Sequence, residues 1–274
     1  MTQSALINVI FKAAEKAARG LVRDFGEVEN LQISRKGVAD FVSNADMDAE
    51  KTIRYELAKA RPGWGFIMEE SGEIAAEEED APTWIVDPLD GTTNYIHGIP
   101  HFCISIAATD KPLNKGGKVV AAGIFDPMRN EFFFAEQGKG AFLNDRRIRV
   151  SGRRNMADCL FATGAPFLGR GTAEDHDLFR AELGAVMAST SGIRRMGAAA
   201  LDLAWVAAGR FEGFWERGLS LWDIAAGVLI VREAGGFVSD FAARDRALTS
   251  GDIVAANSHC HGDLLKKLRE GRSG

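Results

Sequence analysis

The sequence predicts a protein that combines α+β and α/β structure, with an antiparallel sheet in its N-terminal half and an α/β arrangement in its C-terminal half. Three patterns support this prediction. An amphipathic helical pattern comes first, strand-like segments cluster between residues 84 and 135, and short apolar runs alternate with helical patterns from about residue 155. No repeat or linker-like stretch separates these regions. We therefore expect two closely packed halves, residues 1–145 and 146–274, with a cleft between them.

Two helices are predicted ahead of the main sheet. Residues 4–25 carry charges on one face and apolar side chains at helical spacing on the other, namely Leu6, Ile7, Ile10, Phe11, Ala14, Ala17, Ala18 and Leu21. A second helix is expected from Asp46 to Ala60, because Asp46 suits a helix start and Arg61-Pro62-Gly63 stops a helix.

Strand-like segments follow in the N-terminal half, with turn residues such as Gly116-Gly117 and Asp126-Pro127 between them. The predicted strands are Gly65–Met68, Trp84–Val86, Phe102–Ala108, Val119–Phe125 and Glu131–Ala135. In the C-terminal half, short strands are predicted at Cys159–Thr163, Gly213–Trp215, Gly236–Ser239 and Ile253–Ala256. Helices are expected between them near 175–190, 197–208, 223–234 and 260–270.

Composition narrows the class of protein. The 274 residues are 46% hydrophobic, and the net charge of −5 does not indicate a nucleic-acid-binding face. Cys103, Cys159 and Cys260 are far apart in sequence, so we expect reduced packing thiols and neither a zinc site nor a disulfide. The sequence shows neither a signal peptide nor a membrane-spanning run, so a cytoplasmic protein is expected. The acidic residues 77–80 are interpreted as a solvated loop.

The segment from Trp84 to Asn94 is the most informative. Its apolar run predicts a buried strand that ends in two carboxylates, Asp87 and Asp90, and a Gly-Thr-Thr turn follows at once. Paired carboxylates can hold hard divalent cations, and the glycine with the N–H groups after it can cradle a phosphate. This loop therefore predicts magnesium-dependent phosphate chemistry.

Two other acidic positions are candidates for the same site. Glu69-Glu70-Ser71 follows the predicted strand at Gly65–Met68, although an exposed acidic loop is the alternative. Asp223 lies at or next to the start of an apolar, buried helix that ends at Gly235-Gly236, where it can act as a cap, as a ligand, or as both.

Together, these motifs resemble the inositol monophosphatase family of magnesium-dependent, lithium-sensitive sugar phosphatases. The resemblance covers about residues 5–265 and implies a layered αβαβα sugar-phosphatase fold. It rests on Glu69-Glu70-Ser71, on Asp87-Pro88-Leu89-Asp90-Gly91-Thr92-Thr93-Asn94, and on Trp222-Asp223-Ile224-Ala225-Ala226-Gly227 continuing to Glu233-Ala234-Gly235-Gly236. Met68 stands where the family often has glycine.

The resemblance implies two to three magnesium ions. Glu69, Asp87 and the carbonyl of Leu89 would hold one ion, Asp87, Asp90 and Asp223 a second, and a third, weaker ion would lie near Glu69. Two such cations about 3.5–4 Å apart can stabilise the attacking and leaving oxygens of an in-line displacement.

Catalytic roles are implied by the same resemblance for Thr92, Asp46 and Glu69. Thr92 matches the threonine that positions the attacking water, and Asp46, in Asp40-Phe41-Val42-Ser43-Asn44-Ala45-Asp46, matches the aspartate that pairs with it. The alternative for Asp46 is a helix cap.

Substrate contacts are also implied by the resemblance. The implied residues are Asp90, Gly91, Thr92, the turn Gly197-Ala198-Ala199, Glu216 and Asp223, with Glu216 binding a sugar hydroxyl unless it is a surface residue. Arg194 or Arg195 would reach the substrate or a neighbouring subunit, and Lys36 or Arg35 would lie at the mouth of the site. His97 and His101 are expected to pack or to be exposed, because magnesium prefers oxygen ligands.

The function implied is hydrolysis of a small phosphorylated polyol, with inositol 1-phosphate as the leading candidate because Thr93-Asn94 is similar to the inositol branch. The alternatives are histidinol phosphate, 3′-phosphoadenosine 5′-phosphate and fructose 1,6-bisphosphate. A regulatory protein that binds transcription machinery is a further hypothesis, since some bacterial relatives resemble this chain and have that role. The family also implies a homodimer.

Overall fold

The computed structural model describes residues 4–25, 33–37, 40–167, 169 and 171–273. Two helices form its first layer, α1 (Ala5–Asp24) and α2 (Asn44–Ala60), close to the predicted bounds. Ser4 caps α1 by accepting a hydrogen bond from the N–H of Ile7 at 3.2 Å. The apolar face of α1 is buried, as its periodicity predicts. Between the helices, β1 (Ile33–Gly37) and β2 (Asp40–Ser43) pair antiparallel.

The second layer is a sheet of eight strands within the described ranges, in the order β10-β9-β8-β7-β6-β5-β3-β4. The strands are β3 (Gly65–Met68), β4 (Gly72–Ile74), β5 (Thr83–Asp90), β6 (Cys103–Thr109), β7 (Val119–Asp126), β8 (Glu131–Glu136), β9 (Gly140–Leu143) and β10 (Arg146–Ile148). The antiparallel prediction is wrong for one pair, because β3 and β5 run parallel. The β3–β4 hairpin reverses the chain, and the segment at 75–82 reverses it again before β5 joins the other side of β3.

A helical layer separates this sheet from a second one. It contains α5 (Ala199–Ala207) and α6 (Leu221–Glu233), which contact each other closely. A Cβ atom on Gly227 of α6 would overlap the side chain of Leu203 on α5, so the close contact requires glycine there. One apolar core joins Ile124 and Phe133 of the first sheet to Ile230 of α6 and Phe214 of the second sheet.

The second sheet contains, among the described residues, five strands in the order β12-β11-β13-β15-β14. They are β11 (Leu160–Thr163), β12 (Gly192–Arg194), β13 (Gly213–Glu216), β14 (Phe237–Ser239) and β15 (Ile253–Ala256). Both pairings of β11 are parallel, and both pairings of β15 are antiparallel. The change from the first sheet to the second therefore falls between Ile148 and Leu160.

An outer layer of helices covers the far face of the second sheet. It contains α4 (Ala173–Met187) and α8 (His261–Ser273), which pack on each other, while α7 (Ala247–Ser250) is a short connection beside α6. The resulting layers confirm the αβαβα arrangement. In the described part of the chain, no helix combines the length and apolar character needed to cross a membrane.

The short elements are absent from the sequence-based prediction. They include β4, β9, β10, β12, α7 and α3 (Thr92–Ile96), each of three to five residues. Such lengths leave little periodic pattern to detect. The acidic residues 77–80 are exposed, as predicted.

The three cysteines are free and buried, which agrees with packing thiols. Cys159 and Cys260 are far apart in sequence but adjacent in the fold, with their sulfurs 3.4 Å apart.

Candidate active site

A cavity of about 110 Å³ lies where the first sheet meets α5 and α6. It brings together carboxylates from three separate stretches of sequence: Glu69, Asp87 with Asp90, and Asp223. Gly91 and Thr92 line the same cavity. The site residues predicted on different elements therefore meet at one point.

The end of β5 aims two carboxylates into this cavity. Pairing with β6 is regular up to Asp87 and resumes at Asp90, so Pro88 and Leu89 form a bulge. The N–H of Leu89 donates to the Asp87 carboxylate at 2.9 Å, and the N–H of Ala200 donates to Asp90 at 2.7 Å. Backbone donors therefore fix one oxygen of each side chain.

Glu69 reaches the cavity because β3 and β5 run parallel. Met68 pairs with Val86, and the N–H of Glu69 donates to the carbonyl of Val86 at 3.2 Å. The ends of two parallel strands meet at one edge of a sheet, and the Glu69 and Asp87 side chains are in hydrogen-bond contact there.

Asp223 lies at the third position of α6. Ser220 is the N-cap, and its N–H donates to the Asp223 carboxylate at 2.7 Å. Ser220 takes the extended conformation of an N-cap. Asp223 therefore lies three residues after the N-cap, whereas the sequence predicted it at or next to that position. The reciprocal contact is typical of a capping box, so Asp223 does help to cap the helix.

Glu50 supports the Glu69 segment and was missed by sequence reasoning. Its buried carboxylate accepts hydrogen bonds from the N–H of Glu70 at 2.8 Å, the N–H of Ser71 at 3.0 Å and the Ser71 hydroxyl at 2.5 Å. Glu50 follows Asp46 by one helical turn on α2, and both side chains are buried. Two acids four residues apart, on one face of a predicted helix, were the available signal.

The cavity concentrates negative charge. Burial, reinforced by the carboxylates of Glu69, Asp90 and Asp223, raises the pKa of Asp87 well above its usual range. Burial and the charge of Asp223 likewise raise the pKa of Asp90, against the opposing hydrogen bond from Ala200. Every charged group in this balance is an acid, so a divalent cation is the natural neutralising partner.

The donor set suits a hard cation, because it consists of carboxylates and the backbone carbonyl of Leu89. Among the described residues, no three acidic, histidine or cysteine side chains converge into a preformed ligand cage.

The hydroxyl of Thr92 lies 3.0 Å from the Asp46 carboxylate and 3.0 Å from the carbonyl of Leu89. Since the hydroxyl has one proton, it donates to one of these acceptors at a time, and a lone pair remains for an incoming O–H donor. Asp46 is fully buried. The predicted pairing of Thr92 with Asp46 is present in the structure.

Gly91 is the N-cap of the short helix α3, and its φ is 96°. A Cβ atom on Gly91 would lie 3.0 Å from the carbonyl oxygen of His101 and 3.3 Å from the Cβ of Ala198. Both the positive φ and this crowding require glycine. Gly197 and Ala199 line the cavity, whereas Ala198 is buried behind Gly91.

Asn94 has a structural role. Its side-chain amide donates to the carbonyls of His101 at 2.7 Å and Met196 at 2.8 Å. This residue therefore ties the segment after Asp90 to the turn at Gly197, and its contacts are with backbone atoms.

Glu216 ends β13 and lines the cavity. A Cβ atom on Gly164 would overlap the Glu216 carboxylate, so the two residues are in direct contact. Arg195 lines the cavity, while Arg194 is exposed and donates to the carbonyl of Ile193.

The two candidate histidines lie outside the cavity lining, His97 exposed and His101 buried. For Arg35 and Lys36 the structure describes the backbone and not the side chains, so the prediction that one of them lies at the mouth of the site stays a prediction.

Comparison with known proteins decides the family. The family model described as "Inositol monophosphatase family" matches residues 2–273. The chain belongs to the inositol monophosphatase family. Metal dependence is general in this family, which agrees with the carboxylate-rich cavity.

Similar members of the inositol monophosphatase family carry two kinds of name. A protein of Mesorhizobium japonicum named "Inositol-1-monophosphatase" is 54% identical over 270 residues, covering 98% of both chains. A protein of Pseudomonas aeruginosa named "Nus factor SuhB" is 44% identical, covering 96% of both chains.

Solved structures of inositol monophosphatase relatives share the whole fold. Extragenic suppressor protein suhB of Bartonella henselae is 54% identical with a TM-score of 0.92, covering 98% of this chain and 100% of that one. The IMPase of Thermotoga maritima is 32% identical with a TM-score of 0.85, covering 98% and 99%.

Proposed function

We propose that this protein hydrolyses phosphate monoesters in a magnesium-dependent reaction, with inositol 1-phosphate as its leading substrate. The observation that carries the proposal is the convergence of Glu69, Asp87, Asp90 and Asp223 on one small cavity that also contains Thr92. Family membership supports the reaction class, and the names of the relatives at 53–54% identity support the substrate.

Two to three magnesium ions would be held by Glu69, Asp87, Asp90, Asp223 and the carbonyl of Leu89. When bound, such cations neutralise charge on the phosphoryl oxygens and lower the pKa of a nearby water. The backbone N–H groups of Leu89 and Ala200 hold Asp87 and Asp90 in place, so the acidic ligands are oriented before a cation arrives.

The attacking water would be positioned by Thr92. Because its hydroxyl proton points to Asp46 or to the Leu89 carbonyl, its remaining lone pair accepts a hydrogen bond from the water. Glu69 lies on the same cavity and would accept the proton that the water loses. These three residues form the proposed catalytic set.

The phosphate and its alcohol would lie on opposite sides of this set. Gly91 and Thr92, at the start of α3, would offer N–H groups to the phosphoryl oxygens. Asp90, Asp223, Gly197 and Ala199 line the route to the alcohol, and Glu216 would accept a hydrogen bond from one of its hydroxyls.

The test is phosphate release from inositol 1-phosphate, histidinol phosphate, 3′-phosphoadenosine 5′-phosphate and fructose 1,6-bisphosphate, each with magnesium and with a chelator. We expect inositol 1-phosphate to give the highest kcat/KM, and only with magnesium. Preference for a rival substrate would refute the proposed substrate while keeping the metal mechanism, and turnover of none would refute the function.

A second function is favoured by the relatives named "Nus factor SuhB" at 42–45% identity. The chain also presents five exposed arginines between residues 146 and 154, on and after the edge strand β10. We infer that this segment is the surface to test for binding to transcription machinery.

A pull-down with purified RNA polymerase would use three forms: wild type, Asp90→Asn, and a variant with Arg146, Arg147 and Arg149 changed to serine. Binding that survives Asp90→Asn but not the arginine changes would support the second function, and no binding by the wild type would refute it.

We also propose a cytoplasmic homodimer. The side chains of Ile99 and Met128 are exposed, and a 3.0 Å hydrogen bond from Arg129 to the carbonyl of Pro100 joins the two segments that carry them. These two side chains offer an apolar surface for a second copy. Light scattering after size exclusion should give twice the chain mass of 29.6 kDa, and a single chain mass would refute the dimer.

A further inference from the structure

A second cavity opens beside the catalytic one and is much larger, about 690 Å³ against about 110 Å³. The two cavities share Glu69, Gly164, Glu216 and Asp223. The larger cavity therefore begins at Glu216, where the alcohol of a phosphate monoester would leave the catalytic residues. We name it the outer chamber, and any role it has in binding a substrate rests on the proposed phosphatase function.

The outer chamber is bounded by residues that do not line the catalytic cavity. Leu178, Phe179 and Glu182 of α4 line it, together with Arg217 and Asp252. Pockets that hold drug-sized ligands have volumes of roughly 300–1,000 Å³. A single-ring polyol whose phosphate sits in the catalytic cavity would leave most of this chamber unfilled.

Arg217 is locked into the chamber wall. Its guanidinium contacts the buried carboxylate of Glu182, lies 3.6 Å from that of Asp252, and stacks 3.3 Å from the ring centre of Phe241. The guanidinium of Arg272 also approaches Glu182, at 3.1 Å. The positive charges at this wall are therefore already balanced by Glu182 and Asp252.

Further acids make the chamber unfavourable for an anion. The carboxylates of Asp175 and Glu216 also line it. A second phosphate on the substrate would meet like charges there. Hydroxyl groups, in contrast, donate well to carboxylates.

Part of the chamber lining is apolar. Phe179, Leu178, Trp222 and Pro166 line the chamber. A lining that combines apolar side chains with carboxylates suits a sugar ring, because such a ring carries C–H groups on its faces and hydroxyls around its edge. The chamber therefore combines the size, the charge and the surface chemistry expected for a second, neutral ring.

We propose that this enzyme also hydrolyses phosphate monoesters of disaccharide-sized neutral alcohols, with the second ring bound in the outer chamber. The reaction is unchanged: the water oxygen bonds to phosphorus, the ester P–O bond breaks, and a proton from the water ends on the departing alcohol oxygen. The alcohol that leaves is larger, and a bisphosphate is a poorer substrate.

The test compares kcat/KM for trehalose 6-phosphate, inositol 1-phosphate and fructose 1,6-bisphosphate in magnesium. The wild type should hydrolyse the disaccharide phosphate within about tenfold of inositol 1-phosphate, and the bisphosphate at least about tenfold more slowly, the range over which pockets separate related substrates. Turnover of inositol 1-phosphate with none of the disaccharide phosphate would overturn this inference alone. No turnover of inositol 1-phosphate would overturn the proposed function instead.

Variants of α4 locate the second ring. Leu178→Trp fills the chamber, and the milder Leu178→Phe serves if the first variant does not fold. The ratio of kcat/KM for trehalose 6-phosphate to that for inositol 1-phosphate should fall about tenfold or more. Met187→Trp is the matched control, because Met187 is exposed at the end of the same helix and does not line the chamber. An equal effect of Leu178→Trp on both substrates would refute the assignment.

Discussion

Glu50 should control how tightly the protein binds magnesium although it lies outside the cavity lining. Its carboxylate accepts three hydrogen bonds from Glu70 and Ser71, which directly follow Glu69. Glu50→Gln keeps the shape of the side chain but replaces one accepting oxygen with an NH₂ group. At least one hydrogen bond to a charged acceptor is lost, a change worth about 1.5–3 kcal/mol.

The expected consequence is a shift in metal dependence, because Glu69 would no longer be held beside Asp87. Loss of a group that orients a metal ligand typically lowers metal affinity about 10–100-fold. The assay is the magnesium concentration for half-maximal phosphate release, together with calorimetric titration of magnesium. The control is Glu56→Gln on the same helix, which removes a partly exposed ion pair with Lys16 that should contribute about 1 kcal/mol or less. If Glu50→Gln lowers Tm but leaves the magnesium midpoint unchanged, Glu50 only stabilises the fold and the reasoning fails.

Three other side chains give predictions from single contacts. Gly164→Ala should displace the Glu216 carboxylate and raise the KM for inositol 1-phosphate about tenfold. The magnesium concentration for half-maximal activity should not change. An unchanged KM would show that Glu216 does not bind the alcohol. Asp87→Asn should abolish turnover yet raise the Tm of chelator-treated protein at pH 8. The pKa of Asp87 is raised, so its ionised form destabilises the metal-free fold at this pH. A lower Tm for the variant would contradict this reasoning. Burial, aided by the Arg129 charge, lowers the pKa of His101 to about 4. The Asp202 carboxylate lies 3.6 Å from the His101 ring, but burial raises the pKa of Asp202, so this neighbour does not restore the charged imidazolium. The stability contributed by the neutral imidazole is present above pH 6.5, the pKa in the unfolded chain, and is lost as the pH falls towards 4. Between pH 7 and pH 5, the free energy of unfolding measured with denaturant should fall by about 2 kcal/mol more for the wild type than for His101→Gln. Equal falls would refute the lowered pKa of His101.

Local patterns predicted the larger elements well. The bounds of β3 and β15 agree with the sequence-based strands, and the buried face of α1 is the one that its periodicity indicates. The carboxylates of the candidate site were found because Asp87, Asp90 and Asp223 occur in recognisable motifs at strand and helix ends. These features depend on residues that are close in sequence.

Contacts between distant segments could not be predicted in the same way. The parallel pairing of β3 with β5, which places Glu69 beside Asp87, depends on the path of an intervening hairpin and loop. Glu50 and Asn94 act through backbone atoms of remote segments, and no local pattern specifies those partners. The outer chamber likewise forms only when α4 packs against Arg217.

The most direct test of the central claim is phosphate release from inositol 1-phosphate by wild type, Asp90→Asn and Asp145→Asn, each with and without magnesium. Asp145 is exposed and does not line the cavity, so its variant controls for the loss of one carboxylate elsewhere in the protein. We expect release only with magnesium, wild-type rates for Asp145→Asn, and a loss of about a thousandfold or more for folded Asp90→Asn, since metal ions contribute several kcal/mol to the transition state. Release without magnesium, or substantial activity in Asp90→Asn, would contradict the assignment of this cavity as a magnesium-dependent phosphatase site.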